Sequence, residues 1–432
     1  MNSQHNEILW RTDPGEGKLI TFIFILLCLL AASLPFENIL IILAEIDTPF
    51  RPHRILAIII GFLIFLIIPL RNLIYSSNDL KLAGIYLLGL IPTFVAFLDN
   101  RLEFDYFLLT SLQLFIILWI YFMVKSLQLS ELRIKHLFHI FCCFTLLNAI
   151  YMIYIFVFED IGRQSGFMDN PNYAAFTLNI SLAFYLYKLV LPGSQVQKYF
   201  RLYYLLAFCI VLAGIFVTGS RSALVSLILT ILLFGIIHFS WKRLFVSLLF
   251  IFGVFIWVRQ HEIGQKYLDV VPLLNRLEAL SGREESRLTL WIQGWRAFED
   301  TYFLGLGIEQ FKNPKIYSQY LQTSDNPMLV SQEGLVLHND YLAVLFEFGI
   351  LPFLLFISFY FNIFYKLLMQ LKQQEGSLWF VCFVNVLVFS FFDTTFQSLP
   401  FWFVILLLSA LADMKLSRSQ FTLDEQSMSI SK

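Results

Sequence analysis

Residues 200–238 read FRLYYLLAFCIVLAGIFVTGSRSALVSLILTILLFGIIH. Two apolar runs, each of a length to cross a hydrocarbon layer about 30 Å thick, are joined only by the short stretch TGSRSA at 218–223. In lipid every backbone polar group must be satisfied internally, so such a pair reads as two helices joined by a tight turn. The turn holds a guanidinium, Arg221, among Thr218, Gly219, Ser220 and Ser222.

The rest of the chain extends the same pattern. Of its 432 residues 58% are hydrophobic and 14% charged, and mean hydropathy is +0.72. A soluble domain cannot hide that much apolar surface, so the expected class is an all-α polytopic membrane protein. A net charge of −1 argues against a nucleic-acid partner. The five cysteines (Cys28, Cys142, Cys143, Cys209, Cys382) lie in apolar runs without metal-ligand spacing and read as packed thiols. Residues 1–17 carry no signal-peptide pattern, so the first apolar run is expected to remain as an anchor.

About twelve spans are expected at roughly 20 residues each. They fall near 19–34, 55–73, 82–99, 104–126, 134–158, 172–192, 200–219, 221–239, 243–258, 338–368, 377–394 and 399–414. The segment FENILIILAE (36–45) is too short to cross and reads as interfacial or re-entrant. The run 338–368 exceeds one bilayer, so it is expected to tilt or to run on into the cytoplasm. The domain reading is therefore 1–258 as N-terminal spans, 259–337 as a periplasmic loop subdomain containing short helices, 338–414 as C-terminal spans and 415–432 as a tail. Orientation follows the cations of the short loops. With a cytoplasmic N-terminus, the short outside loops hold only Arg51, Arg54, Arg101, Arg163 and Arg221, while most Lys and Arg fall inside. Both termini are thus expected in the cytoplasm.

That topology collects the unusual residues on one side. Outside lie EDIGRQSGFMDNPNY (159–173), TGSRSA, SGREESRLTLWIQGW (281–295), GLGIEQF (305–311) and LHNDYLAVLFEFG (337–349). Arg221 stands at a helix start, where free N–H groups and the dipole favour an anion, and its planar fork matches phosphate oxygens. A snorkelling arginine marking the interface is the plainer reading. Leu288, Trp291, Ile292, Trp295 and Phe298 recur at helical spacing, which suggests an interfacial helix with Arg287 one turn before Trp291. Arg283 and Arg296 compete with Arg287 for a phosphate role, and a solvated surface arginine is the alternative. His338 precedes Asn339 and Asp340, both suited to capping a helix. A neutral imidazole there could act as general base on a hydroxyl, against a purely structural histidine. Glu347, about 13 Å further along a straight helix, is a candidate intramembrane carboxylate.

Arginines and a base beside a lipid-facing groove suit a lipid-linked pyrophosphate donor. The guanidiniums would hold the diphosphate and stabilise charge on it as leaving group, while the histidine deprotonates the attacking hydroxyl. No Asp-x-Asp pair or His/Cys cluster suggests a metal, and no cofactor is implied.

VTGSRSALV, SRLTLWIQGWRAF with LGLGIEQF, and LHNDYLAVLFEFGILPFLLF, in that order, resemble the O-antigen ligase family and its relatives, the O-antigen and exopolysaccharide polymerases. The shared pattern covers roughly residues 160–360. The resemblance implies a twelve-helix protein of the bacterial inner membrane. It implies metal-independent, inverting transfer of a glycan from undecaprenyl pyrophosphate on the periplasmic face. Ligases of the family move the glycan onto lipid A–core, and polymerases move it onto another lipid-linked repeat. Carried over by position, the catalytic residues would be Arg221, Arg287 and His338. Arg163, Asn170 and Asn172, from GFMDNPNYAAF and its upstream loop, with Trp291, Tyr341 and Glu347, would contact substrate. A transporter for the same lipid is the reading from another class, disfavoured because no internal repeat is seen.

Overall fold

The computed structural model of the protein describes residues 14–44, 51–67, 76–99, 104–159, 162–190, 198–238, 284–308, 310–313, 319–320, 336–373, 375–396 and 398–430. Every regular element among them is helical. In chain order these are α1 (Pro14–Ser33), α2 (Ile39–Ala44), α3 (Pro52–Ile67), α4 (Ser77–Leu98), α5 (Phe104–Ser126), α6 (Glu131–Phe158) and α7 (Pro171–Val190). They continue as α8 (Lys198–Thr218), α9 (Arg221–His238), α10 (Glu284–Asp300), α11 (Asp340–Ala343), α12 (Ile350–Met369), α13 (Gly376–Phe392) and α14 (Leu399–Ile430). Among the described residues seven helices are long and apolar enough to cross a membrane, and four shorter apolar helices accompany them. The protein is an all-α polytopic membrane protein. The span expected at 243–258 lies outside the described residues, as does all of the chain between α9 and α10.

Helix α7 sits at the centre, in contact with α6, α8, α9, α13 and α14. Its flank is buried from Ala174 through Tyr185, including Thr177, Asn179 and Ser181. Interior position explains those polar residues, because small and hydroxyl side chains let neighbouring helices approach and bond across the interface. Asn170 starts the helix: its Oδ1 accepts from Asn172 N at 2.8 Å, and Pro171 occupies the first turn, where a missing N–H costs nothing. The hairpin of the opening stretch is present, α8 and α9 being separated only by Gly219 and Ser220. Gly219 takes φ +60°, the left-handed geometry that glycine adopts without Cβ strain.

The long span expected over 338–368 is not one tilted helix. It begins with α11, widens into a π-helical turn at Val344–Phe348 and breaks at Gly349 before α12. At Gly349, φ is +98°, and a Cβ would lie 2.3 Å from Leu304 O. The carbonyls freed by the break are taken up by the GLG motif, Leu306 N donating to Phe346 O and Gly307 N to Glu347 O, each at 2.9 Å. The same strap is fixed to α4 by Ile308 N donating to Thr93 Oγ1 at 2.9 Å. GLGIEQF is therefore the docking strip of the broken helix. Glu347, which precedes the break, lies outside the long apolar helix, so a depth reckoned along a straight helix does not hold.

Within FENILIILAE, Ile39–Ala44 form the short α2, preceded by a turn at Leu34–Phe36, consistent with a segment that does not cross. Asn38 N donates to Phe167 O at 2.8 Å, tying it to the α6–α7 loop. The five cysteines are unpaired thiols.

Candidate active site

Several chain segments meet at one end of the bundle: the α6–α7 loop, the α8–α9 turn, the start of α10, the approach to α11 and the α13–α14 connection. The order of contacts is best followed from Arg163. Its Nε donates to Thr218 O at 2.7 Å, and its Nη2 donates to Asn172 Oδ1. Asn172 Nδ2 in turn donates to Asp393 Oδ1 at 3.0 Å. His338 Nδ1 lies 3.4 Å from that same oxygen. The TGSRSA turn is thus linked to His338 through Arg163, Asn172 and Asp393.

Asp393 is nearly buried, and its Oδ2 makes no hydrogen bond among the described residues. The His338 side chain is 32% exposed, so one nitrogen is committed to a buried carboxylate while the ring stays accessible. An acid placed at one ring nitrogen can orient an imidazole and leave the other nitrogen for proton transfer. His338 has φ +50°, an uncommon conformation for a residue with a Cβ, and such strain clusters at functional sites. Two neighbours hold it. Trp291 Nε1 donates to Leu337 O at 2.9 Å, and Asn339 Oδ1 accepts from Leu342 N at 3.0 Å, capping α11.

Asp340 does not share the capping role. Fully buried, it accepts from Thr395 N, Thr395 Oγ1 and Phe396 N at 2.8, 2.5 and 2.9 Å. It pins the α13–α14 connection, and with it Asp393, to the His338 segment. Burial pushes the Asp340 carboxyl up to about 7, against the lowering effect of these hydrogen bonds.

Arg287 lies in the first turn of α10 and its Nη1 donates to Phe392 O at 3.4 Å, one residue from Asp393. Helix α10 buries Leu290, Gly294, Ala297 and Phe298 against the π turn, while Leu288, Ile292 and Trp295 remain exposed. The expected helix is present, but its inward face is set by a different stripe. Arg221, half-buried, opens α9, where Ser220 and Ser222 hydroxyls lie 2.8 Å apart.

The structure therefore brings Arg163, Asn172, Arg287, Trp291 and His338 into one bonded neighbourhood, with Arg221 on the turn that Arg163 grips. Asn170 serves as the cap of α7. Tyr341 OH donates to Leu387 O at 3.3 Å, and its ring packs on Phe356, which places it between helices. Arg283 lies outside the described residues, and Arg296 is exposed on α10. Among the described residues no group of three His, Cys, Asp or Glu side chains converges as a metal site requires. Sequence reading missed Asp393, which sits 55 residues beyond His338 after an ordinary apolar helix.

An all-α membrane protein with arginines gathered around an oriented histidine at one end of its bundle is the class that fold and site define. Residues 206–357 match the family model described as O-antigen ligase, so this segment is similar to that family. Arg221, Arg287 and His338 fall inside the matched stretch, whereas Arg163, Asn172 and Asp393 lie outside it. No curated protein matches the chain.

Proposed function

We propose that the protein is a membrane glycosyltransferase that moves a glycan from undecaprenyl pyrophosphate to an acceptor hydroxyl, acting as an O-antigen ligase toward lipid A–core. The observation that carries the reading is the His338–Asp393 pair set beside segments bearing Arg163, Arg221 and Arg287.

In this reaction His338 Nε2 removes the proton from the acceptor hydroxyl as its oxygen bonds to the anomeric carbon. The bond from that carbon to the pyrophosphate oxygen breaks, and undecaprenyl pyrophosphate leaves carrying the electron pair. Inversion follows from a single displacement, and no metal is required by the proposed chemistry. Arg221 and Arg287 stabilise charge developing on the leaving diphosphate; fixed cations in a dry site do this without reorganising at the moment of reaction. Arg163 holds Asn172, Asn172 holds Asp393, and Asp393 holds the imidazole. The sparse cations of the short loops at this end support a periplasmic active site, an inner-membrane location and cytoplasmic termini.

The test is turnover by the purified protein with a lipid-linked oligosaccharide and a lipid A–core acceptor. His338→Ala should abolish transfer while donor binding persists, and Arg221→Ala should weaken donor binding. Donor binding without any turnover by the wild type would overturn the transferase reading in favour of a transporter. Gene deletion separates the two family activities. Bare cores with accumulated lipid-linked polymer mark a ligase; cores bearing single repeats mark a polymerase.

A further inference from the structure

At the same end of the bundle, beside the His338 site, is a cavity of about 170 Å³ walled chiefly by Glu37, Arg51, His53, Arg54, Asp169 and Tyr173. In a chain so rich in apolar residues, a pocket walled mainly by ionisable side chains, with Ser398 and Leu399 completing it, calls for an occupant. Arg51 is engaged, paired with Asp169 and 3.9 Å from Glu37. The guanidinium of Arg54 makes neither an ion pair nor a hydrogen bond among the described residues. The imidazole of His53 is only 1% exposed, and its Nδ1 is buried without a hydrogen-bond partner. A buried nitrogen left unsatisfied costs stability unless something else bonds to it.

We propose that this cavity binds an anionic sugar residue of the transferred or accepting glycan. Two guanidiniums face Asp169 and a carboxyl, Glu37, whose burial pushes it up to about 7, so the walls favour an anion. The volume is well below the roughly 300 Å³ where drug-sized sites begin, and it suits one ring with its charged group. Arg54 binds the carboxylate or phosphate, His53 Nδ1 bonds a ring hydroxyl, and the Tyr173 ring forms a wall while its OH is held by Thr394 O at 2.9 Å. Tyr173 adjoins Asn172 and Thr394 adjoins Asp393, so the cavity opens one residue from the relay to His338. A glycan reacting there would extend a neighbouring sugar toward Arg54. The identity of the occupant as glycan rests on the transferase reading; the anion site itself does not.

The full-length protein, labelled with ¹³C-histidine, is titrated with D-glucuronate, D-glucose 6-phosphate, D-glucose and inorganic phosphate. The His53 signal is assigned by His53→Gln. Glucuronate or glucose 6-phosphate should move the His53 signal saturably and glucose should not. The stronger of the two tells whether the charge is a carboxylate or a phosphate. Arg54→Gln should weaken the response by about tenfold or more, the loss of one hydrogen bond to a charged group, and Arg54→Lys should keep part of it. Arg221→Ala should respond like wild type, which separates this site from the transfer reaction. An unmoved His53 signal, an undiminished response in Arg54→Gln, or inorganic phosphate acting as strongly as the sugar phosphate would each overturn the proposal. Turnover without a His53 response sinks this inference alone; a His53 response without turnover sinks only the transferase reading.

Discussion

Asp393 shows how a single side chain acts through another. It touches His338 Nδ1 and Asn172 but sits behind the ring, so it is a positioning residue. Asp393→Asn should lower kcat by about 10²-fold or more, the scale of general-base catalysis, with KM for the donor little changed. A rise in KM at unchanged kcat would show that Asp393 instead shapes the donor site. Glu37 gives a pH-dependent prediction. Burial and the neighbouring Asp169 raise its carboxyl from 4.5 to about 7, with Arg51 and Arg54 opposing, while His53 and Tyr173 complete its surroundings. The folded state then keeps a proton that the unfolded chain has released between those values. The sign follows: Glu37 favours folding most at low pH and less as pH rises through about 7. Thermal midpoints measured from about pH 5 to about pH 8 should therefore decline, and Glu37→Gln should flatten that decline. An unchanged slope would remove Glu37 as its source.

Among the elements, the broken helix of α11, π turn and α12 is decisive. A straight helix through 338–368 would carry the Phe346 and Glu347 carbonyls in its own ladder. Here they are bonded by the Leu304–Gly307 strip, and Gly349 makes the turn. Replacing Gly349 by alanine meets both the positive φ and the Leu304 carbonyl, where a Cβ would come within 2.3 Å. The cost should be on the order of 1–3 kcal/mol, measurable as a lowered thermal midpoint, and transfer activity should fall with it because α10 and the His338 segment pack on this turn. A Gly349→Ala protein as stable and active as wild type would show that the break is not required. The hydropathy of this stretch was legible, and the break was not. A π turn and a glycine hinge leave the apolar pattern unaltered; only the hydrogen-bond partners that arrive from residues 304–307 make the break affordable.

Across the whole molecule, the end opposite His338 is closed by ions. Lys125 at the end of α5 bonds Asp79 at the start of α4 and Asp413 on α14, and Lys366 at the end of α12 reaches Asp413 at 2.7 Å. Asp79 is fully buried and also caps α4 with Ser76. Removing one partner of a buried pair strands the other charge, so Lys125→Met should cost about 3–5 kcal/mol. The double variant Lys125→Met, Asp79→Asn should recover part of that loss, as read by thermal unfolding in detergent. A double variant no more stable than Lys125→Met would show that the pair is uncoupled. With this lock at one end and the Arg163–Asn172–Asp393–His338 series at the other, charged groups mark the two ends and the apolar core fills the space between.

What the sequence determined by itself was class and parts: a helical membrane protein, because continuous apolar runs of about 20 residues satisfy backbone and burial in lipid as helices. It also marked Arg221, Arg287, Trp291 and His338, because charges and a histidine next to apolar spans are conspicuous against that background. The tertiary structure decided which of these touch. It converted Asp340 from an expected cap into a clamp on Thr395 and Phe396, gave Asn170 to the start of α7, and supplied Asp393 as the partner of His338. It also gathered Glu37, Arg51, His53, Arg54 and Asp169 from three separate segments around one cavity. Local patterning fixes what a residue can do, whereas pairing across 55 or 132 residues depends on how helices pack, and hydropathy carries no record of that packing.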